Sequence, residues 1–126
     1  MLLRYTTNFR NISEFNSENP IDSFLESIAS EAMMCMIDEI RWEQDEARKK
    51  KLKSQLPAVV VGDYAGYIRN ASNLIQTDGA IIDIDHVSNP DKIKLALRSI
   101  PFIHFAFISP SGDGVKAGIR FNEKIY

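Results

Sequence analysis

Cysteine and long apolar runs are nearly absent from this sequence. Its single cysteine, Cys35, excludes an intramolecular disulfide and fits a reducing compartment. The surrounding AMMCMI predicts that this thiol is a small buried side chain. No apolar run approaches the roughly 20 residues that a membrane helix needs, and the N-terminal MLLRYTTNFR carries charge, unlike a secretory signal. We therefore expect a cytoplasmic protein that makes no membrane contact.

An excess of positive charge is also missing, because 15 Lys and Arg stand against 17 Asp and Glu, a net charge of −2. Such a chain has no basic field over the whole domain, so any contact with nucleic acid must be local. The densest positive cluster, residues 48 to 53, follows Glu43, Asp45 and Glu46. This order is typical of a helix that ends in cations, and a phosphate-binding patch is the alternative.

Length and periodicity indicate one α+β domain. The 126 residues, of which 44% are hydrophobic and 25% charged, fit a single globular unit, residues 1–126. Apolar residues recur every three or four positions from Ile21 to Ile40, which predicts one or two amphipathic helices, continued through EQDEARKKKLKSQ to Pro57. Strands are predicted at 58–62, 79–85, 102–109 and 114–121, with a helix capped by Ser88 between the second and third. We expect a mixed or antiparallel sheet covered by helices.

Two aspartates end the second predicted strand. Asp83 and Asp85 in TDGAIIDIDHV point to the same face, about 7 Å apart. Two carboxylates at this spacing can bind Mg²⁺ or Mn²⁺, although a strand end or turn also commonly contains such a pair. His86 is either a third ligand or a polar residue at the strand end.

The stretch SPSGDGVKAGIR offers groups that suit a phosphate. Two hydroxyls and two glycine N–H groups lie in the predicted hairpin loop, and two cations lie on one face of the following strand. These candidate residues are Ser109, Ser111, Gly112, Gly114, Lys116 and Arg120. A hairpin without a ligand is the alternative, and the spacing does not match a P-loop.

A loop and a histidine are two further candidates. Tyr64, Tyr67 and Arg69 in GDYAGYIRN either contact nucleic acid or lie in a loop packed over the sheet. His104 alternates with apolar residues, which predicts a core histidine.

The runs LPAVVVGDYAGYIRN, TDGAIIDID and FAFISPSGDGVKAGI resemble the VirE N-terminal domain family. Domains of that family form the N-terminal part of primase- and helicase-like proteins of mobile elements and phages, and are similar to archaeo-eukaryotic primases. The resemblance implies an RRM-like primase-polymerase fold and a longer native protein with a helicase-like or primase-associated domain after this one.

By that resemblance, Asp83 and Asp85 hold two Mg²⁺ or Mn²⁺ ions, and the segment from Ser111 to Lys116 holds the nucleotide triphosphate. Lys116 stands where those primases have histidine, and the third carboxylate of the primases has no recognisable counterpart, with Asp113 and Glu123 the only acids nearby. The expected function is nucleotidyl transfer on DNA. The alternatives are a non-catalytic module that binds single-stranded DNA or a partner protein, and a metal-dependent nuclease.

Overall fold

The structure, a computed structural model, describes residues 3–6, 20–65 and 70–121. Four helices lie in these ranges: α1 (Pro20–Ile28), α2 (Glu31–Trp42), α3 (Glu46–Lys53) and α4 (Pro90–Leu97). The strands are β1 (Leu3–Thr6), β2 (Ala58–Val61), β3 (Asp63–Tyr64), β4 (Leu74–Gln76), β5 (Gly79–Ile84), β6 (Ile103–Ile108) and β7 (Val115–Arg120). None of the helices described is long and apolar enough to cross a membrane.

Every strand pair in the described ranges is antiparallel. β1 pairs with β2, β3 with β4, and the largest sheet has the order β5-β7-β6. The expected α+β class with antiparallel pairing is confirmed, and four predicted strands form within one or two residues of their expected limits. β7 lies at the centre of its sheet, so residues on β5 and β6 flank it on both sides.

The helices break at residues whose side chains cap the next helix. Ser30 Oγ accepts a hydrogen bond from Met33 N (3.2 Å), and Asp45 Oδ1 accepts one from Arg48 N (2.7 Å). The stripe from Ile21 to Ile40 therefore forms two helices, whereas the predicted continuation through EQDEARKKKLKSQ is wrong, because α2 ends at Trp42 and α3 starts anew. The cap of α4 is also corrected from Ser88 to Asn89, whose side chain accepts from Lys92 N (3.0 Å).

An aromatic cluster joins α1 to one face of the β5-β7-β6 sheet. Phe24 of α1 meets Phe105 and Phe107 of β6 edge to face, with ring centroids 6.4 and 5.7 Å away. The two β6 rings are stacked at 6.1 Å, since residues two apart on a strand share a face. Val115 and Ala117 of β7 are fully buried, and α4 packs against β6 and β7.

Two predictions of burial are wrong. Cys35 is exposed because it lies off the stripe of α2 that turns inward, where Met33, Ile37 and Ile40 follow at spacings of three or four. His104 is exposed as well. A register shift in the pairing of β6 with β7 between Ile103 and Phe105 interrupts the regular alternation on which the core prediction rested.

Candidate functional site

Asp83 and Lys116 lie directly opposite each other on β5 and β7. The Lys116 Nζ donates to Asp83 Oδ2, and the two groups form an ion pair. The side chains of Lys116 and Asp83 are 31% and 47% exposed, so the pair lies at the surface of the sheet and remains open to water. The antiparallel register thus joins the D-x-D stretch to the S-P-S-G-D-G-V-K stretch, although 33 residues separate the paired side chains.

Two polar contacts join the end of β5 to the β6–β7 hairpin. Val87 N donates to the Asp113 carbonyl (2.8 Å), and His86 Nδ1 lies 3.1 Å from Asp113 Oδ2. His86 has φ 54°, a left-handed conformation that few residues other than glycine adopt. This turn of the chain leaves Asp85 exposed, directly after the last strand residue.

The hairpin closes through its own backbone. Ser109 N donates to the Gly114 carbonyl and Gly112 N donates to the Ser109 carbonyl, both at 2.9 Å. Gly112 has φ +84°, which explains the glycine at this place in the turn. The Gly112 N–H, which the sequence offered as a phosphate donor, is therefore already used inside the loop.

Gly114 lets three oxygen atoms converge beside the D-x-D. A Cβ at this position would lie 2.8 Å from the Ile84 carbonyl oxygen, 3.2 Å from Ser109 Oγ and 3.3 Å from Asp85 Oδ1. Ser109 is only 6% exposed, and its buried Oγ has no hydrogen-bond partner in the described part of the chain. A buried hydroxyl without a partner costs about 1–3 kcal/mol, so this oxygen marks a place where a further polar group would be stabilising.

A groove of ≈ 1000 Å³ runs along this face of the sheet. Its polar end contains Asp83, Asp85, Ser109, Ser111 and Lys116. Apolar side chains from β2, β5, β6 and the first two helices form the remainder, among them Val59, Val61, Ile81, Phe107, Ile28 and Met33. A mostly apolar groove with a few polar groups at one end is typical of a small-molecule site.

Not every predicted site residue reaches the groove. Arg120 pairs with Gly79 at the far end of β7, four residues or about 13 Å from Lys116, and is absent from the groove lining among the described residues. Tyr64 lines the groove and donates through its hydroxyl to the Val61 carbonyl (3.3 Å). Tyr67 and Arg69 lie outside the described residues.

Two basic residues lie near the site: Lys53, from the positive cluster at residues 48 to 53, and Arg41, for which the sequence had no signal. Arg41 of α2 donates to the Ser109 carbonyl (3.4 Å), and its Nε would lie 3.2 Å from a Cβ on Gly112. Lys53, at the end of α3, lines the groove. Arg41 and Ser109 are 68 residues apart, and no spacing rule relates positions so distant in the chain.

The family model of the BT4734-like N-terminal domain matches residues 51–125, more than half of the chain. The chain belongs to the BT4734-like N-terminal domain family. The matched segment contains the D-x-D, the hairpin and the whole β5-β7-β6 sheet. No curated protein and no solved structure matches this BT4734-like domain.

This family assignment corrects the resemblance to the VirE N-terminal domain and its primase relatives, which is wrong. That resemblance depended on a D-x-D and a Ser-Gly-Lys loop. Short motifs of this kind follow from strand-end and turn chemistry that many folds share.

In this BT4734-like domain, Asp83 and Asp85 fit a cation whose other ligands are phosphate oxygens of a bound substrate and water. Among the residues described, no three His, Cys, Asp or Glu side chains gather closely enough to enclose a metal. Mg²⁺, however, is commonly bound by one or two carboxylates together with substrate phosphates and water. Asp83 and Asp85 could supply that pair, with Ser109 and Ser111 nearby for the phosphate oxygens.

Proposed function

We propose that this BT4734-like N-terminal domain binds Mg²⁺ or Mn²⁺ together with the triphosphate of a nucleotide, for nucleotidyl transfer to a DNA end. The observation that carries the proposal is the opposed pair Asp83 and Lys116, with Asp85, Ser109 and Ser111 around the same end of one groove. Carboxylates for a hard cation and an ammonium for phosphate are thus adjacent.

Each part of the groove has a separate task in this proposal. Asp83 and Asp85 are oxygen ligands for the divalent cation, which would supply Lewis-acid stabilisation of charge on the phosphates. Lys116 binds a phosphate as a point charge, and the hydroxyls of Ser109 and Ser111 donate to phosphate oxygens. The apolar walls, including Phe107, accommodate the base and sugar.

The primase-polymerase type of fold is part of the same proposal. The succession β5-α4-β6-β7, with carboxylates at the end of the first strand and a cation on the last, supports it. The mobile-element setting and the helicase-like neighbour depended only on the VirE resemblance, and we do not propose them.

Calorimetric titration of the wild-type domain with Mn²⁺ and a nucleoside triphosphate tests the proposal. We expect binding that requires the metal in the wild type and that loses its response to the metal in Asp83→Ala/Asp85→Ala. In Lys116→Ala the affinity should weaken roughly 10–150-fold, since a hydrogen bond to a charged group contributes about 1.5–3 kcal/mol. The matched control is Asp91→Ala/Lys94→Ala, which removes an ion pair of the same type (3.9 Å) on α4. This control should bind like the wild type.

Other outcomes would favour the other functions. No metal-dependent binding by the folded wild type would indicate a non-catalytic module for single-stranded DNA or a protein partner. Metal-dependent cleavage of DNA without any nucleoside triphosphate would indicate a nuclease.

Ser109 offers a test that separates binding from folding. In Ser109→Ala the unpartnered buried oxygen disappears, so we expect the free energy of unfolding to rise by about 1 kcal/mol in urea denaturation without ligand. Binding of the metal-nucleotide should weaken in the same variant, because the hydroxyl no longer donates to the ligand. A loss of both stability and binding would mean that Ser109 has a structural role alone.

A further inference from the structure

The proposed phosphate ligand, Lys116, forms an ion pair with one of the two proposed metal ligands, Asp83. Lys116 pairs with Asp83, and no other described residue forms an ion pair with Lys116. Asp85 has no ion pair with any described residue and is exposed, so it is open to a cation. Building on the proposed function, we infer that the site takes polyphosphates as metal complexes and discriminates against the free anions.

The charges around the groove disfavour a free polyphosphate. Of the described residues that line it, three are carboxylates, Asp83, Asp85 and Asp113, and two are lysines, Lys53 and Lys116. The charge of Lys116 is compensated by Asp83 across the strand pair. A polyanion that approaches alone therefore meets the carboxylates of Asp85 and Asp113 against one lysine, Lys53, and must also compete with Asp83 for the Lys116 ammonium group.

A divalent cation reverses both effects. When it binds Asp83 and Asp85, it neutralises the carboxylates and repels the Lys116 ammonium from Asp83. The four-carbon side chain of Lys116 is flexible enough to turn from Asp83 to an adjacent phosphate. Cation and phosphate thus each improve the binding of the other, and such coupling typically changes affinity about 5–150-fold.

A second observation, independent of the charges, also indicates a ligand at this end of the groove. The Ser109 hydroxyl is more than nine-tenths buried, lacks a partner and lies with the Asp85 carboxylate around the space that a Gly114 side chain would fill. A phosphate oxygen, or a water molecule bound to the cation, would give the Ser109 hydroxyl a hydrogen-bond partner.

The test uses the full chain and inorganic tripolyphosphate, a probe without base or sugar, titrated with and without Mn²⁺. In the wild type, Mn²⁺ should raise the affinity about tenfold or more. Asp83→Asn should raise the metal-free affinity about tenfold, because Lys116 is released, and should lose most of the response to Mn²⁺. The double variant Asp83→Asn/Lys116→Met should lose this rise in metal-free affinity.

Asp113→Asn is the matched control, because it removes an equal charge from the same groove without releasing a lysine. A gain in Asp83→Asn no larger than the gain in Asp113→Asn would overturn the inference. Equal wild-type affinity for free and Mn²⁺-bound tripolyphosphate would overturn it too, while leaving phosphate binding intact. If the wild type binds neither form, the proposed function fails together with the inference.

Discussion

Replacing Phe24 by alanine is expected to lower the free energy of unfolding by about 3–5 kcal/mol. Phe24 is 3% exposed and packs edge to face on both Phe105 and Phe107. The variant loses the transfer free energy of a buried ring, two aromatic contacts and the packing of α1 on the sheet. Urea or guanidinium denaturation of the two proteins measures the difference.

The control for this prediction is Phe102→Ala, the same substitution at a ring that is 56% exposed. We expect it to cost less than about 1 kcal/mol, because surface substitutions have small effects. Equal losses in the two variants would show that α1 does not pack on the sheet as described. Phe24 lies outside the segment 51–125 that defines the family, so its loss also measures how strongly the preceding helices stabilise that segment.

Gly118→Ala is expected to destabilise the protein by about 3 kcal/mol, at the upper end of the cost of overpacking. A Cβ on Gly118 would lie 2.3 Å from Phe105 Cε1, 2.6 Å from Cζ and 2.8 Å from Cδ1. The Phe105 ring is 7% exposed and has Phe24 and Phe107 beside it, so it cannot move aside without disturbing the aromatic cluster. Position 118 must therefore be glycine for a ring to lie flat on β7.

A double-mutant cycle with Phe105→Leu isolates this clash. Leucine leaves room for the new methyl group, so Gly118→Ala should cost much less in the Phe105→Leu background than in the wild type. Residues in contact typically show interaction energies of 0.5–3 kcal/mol in such cycles, and we expect a value near the upper limit. Purely additive losses would mean that the ring does not restrict position 118.

Local patterns predicted most of the strands but fewer of the helix limits. Alternation of apolar residues places β5, β6 and β7 correctly, because a half-buried strand has a period of two residues, which a short stretch of sequence reveals. The end of α2 at Trp42 and the cap at Asn89 were missed, because several polar residues near each boundary could serve as caps. The exposure of Cys35 depends on the phase of the helix, which residue type alone does not give.

The candidate site was predictable only in its local parts. The D-x-D and the Ser-Gly loop are visible in the sequence, but the register that sets Asp83 opposite Lys116 depends on the length and conformation of the hairpin. The closure of that hairpin also takes the Gly112 N–H, a donor that composition alone left open. The approach of Arg41 to Ser109 is a tertiary contact, for which the sequence has no local signal.

The contact between Arg41 and the hairpin affects how the protein can be divided. A fragment that began at residue 51 would retain Asp83, Asp85 and Lys116, yet it would lack the side chain that binds the Ser109 carbonyl and packs against Gly112. The hairpin is thus supported from outside the segment by which the family is defined. For this protein, the smallest unit that preserves the groove includes the helices before residue 51.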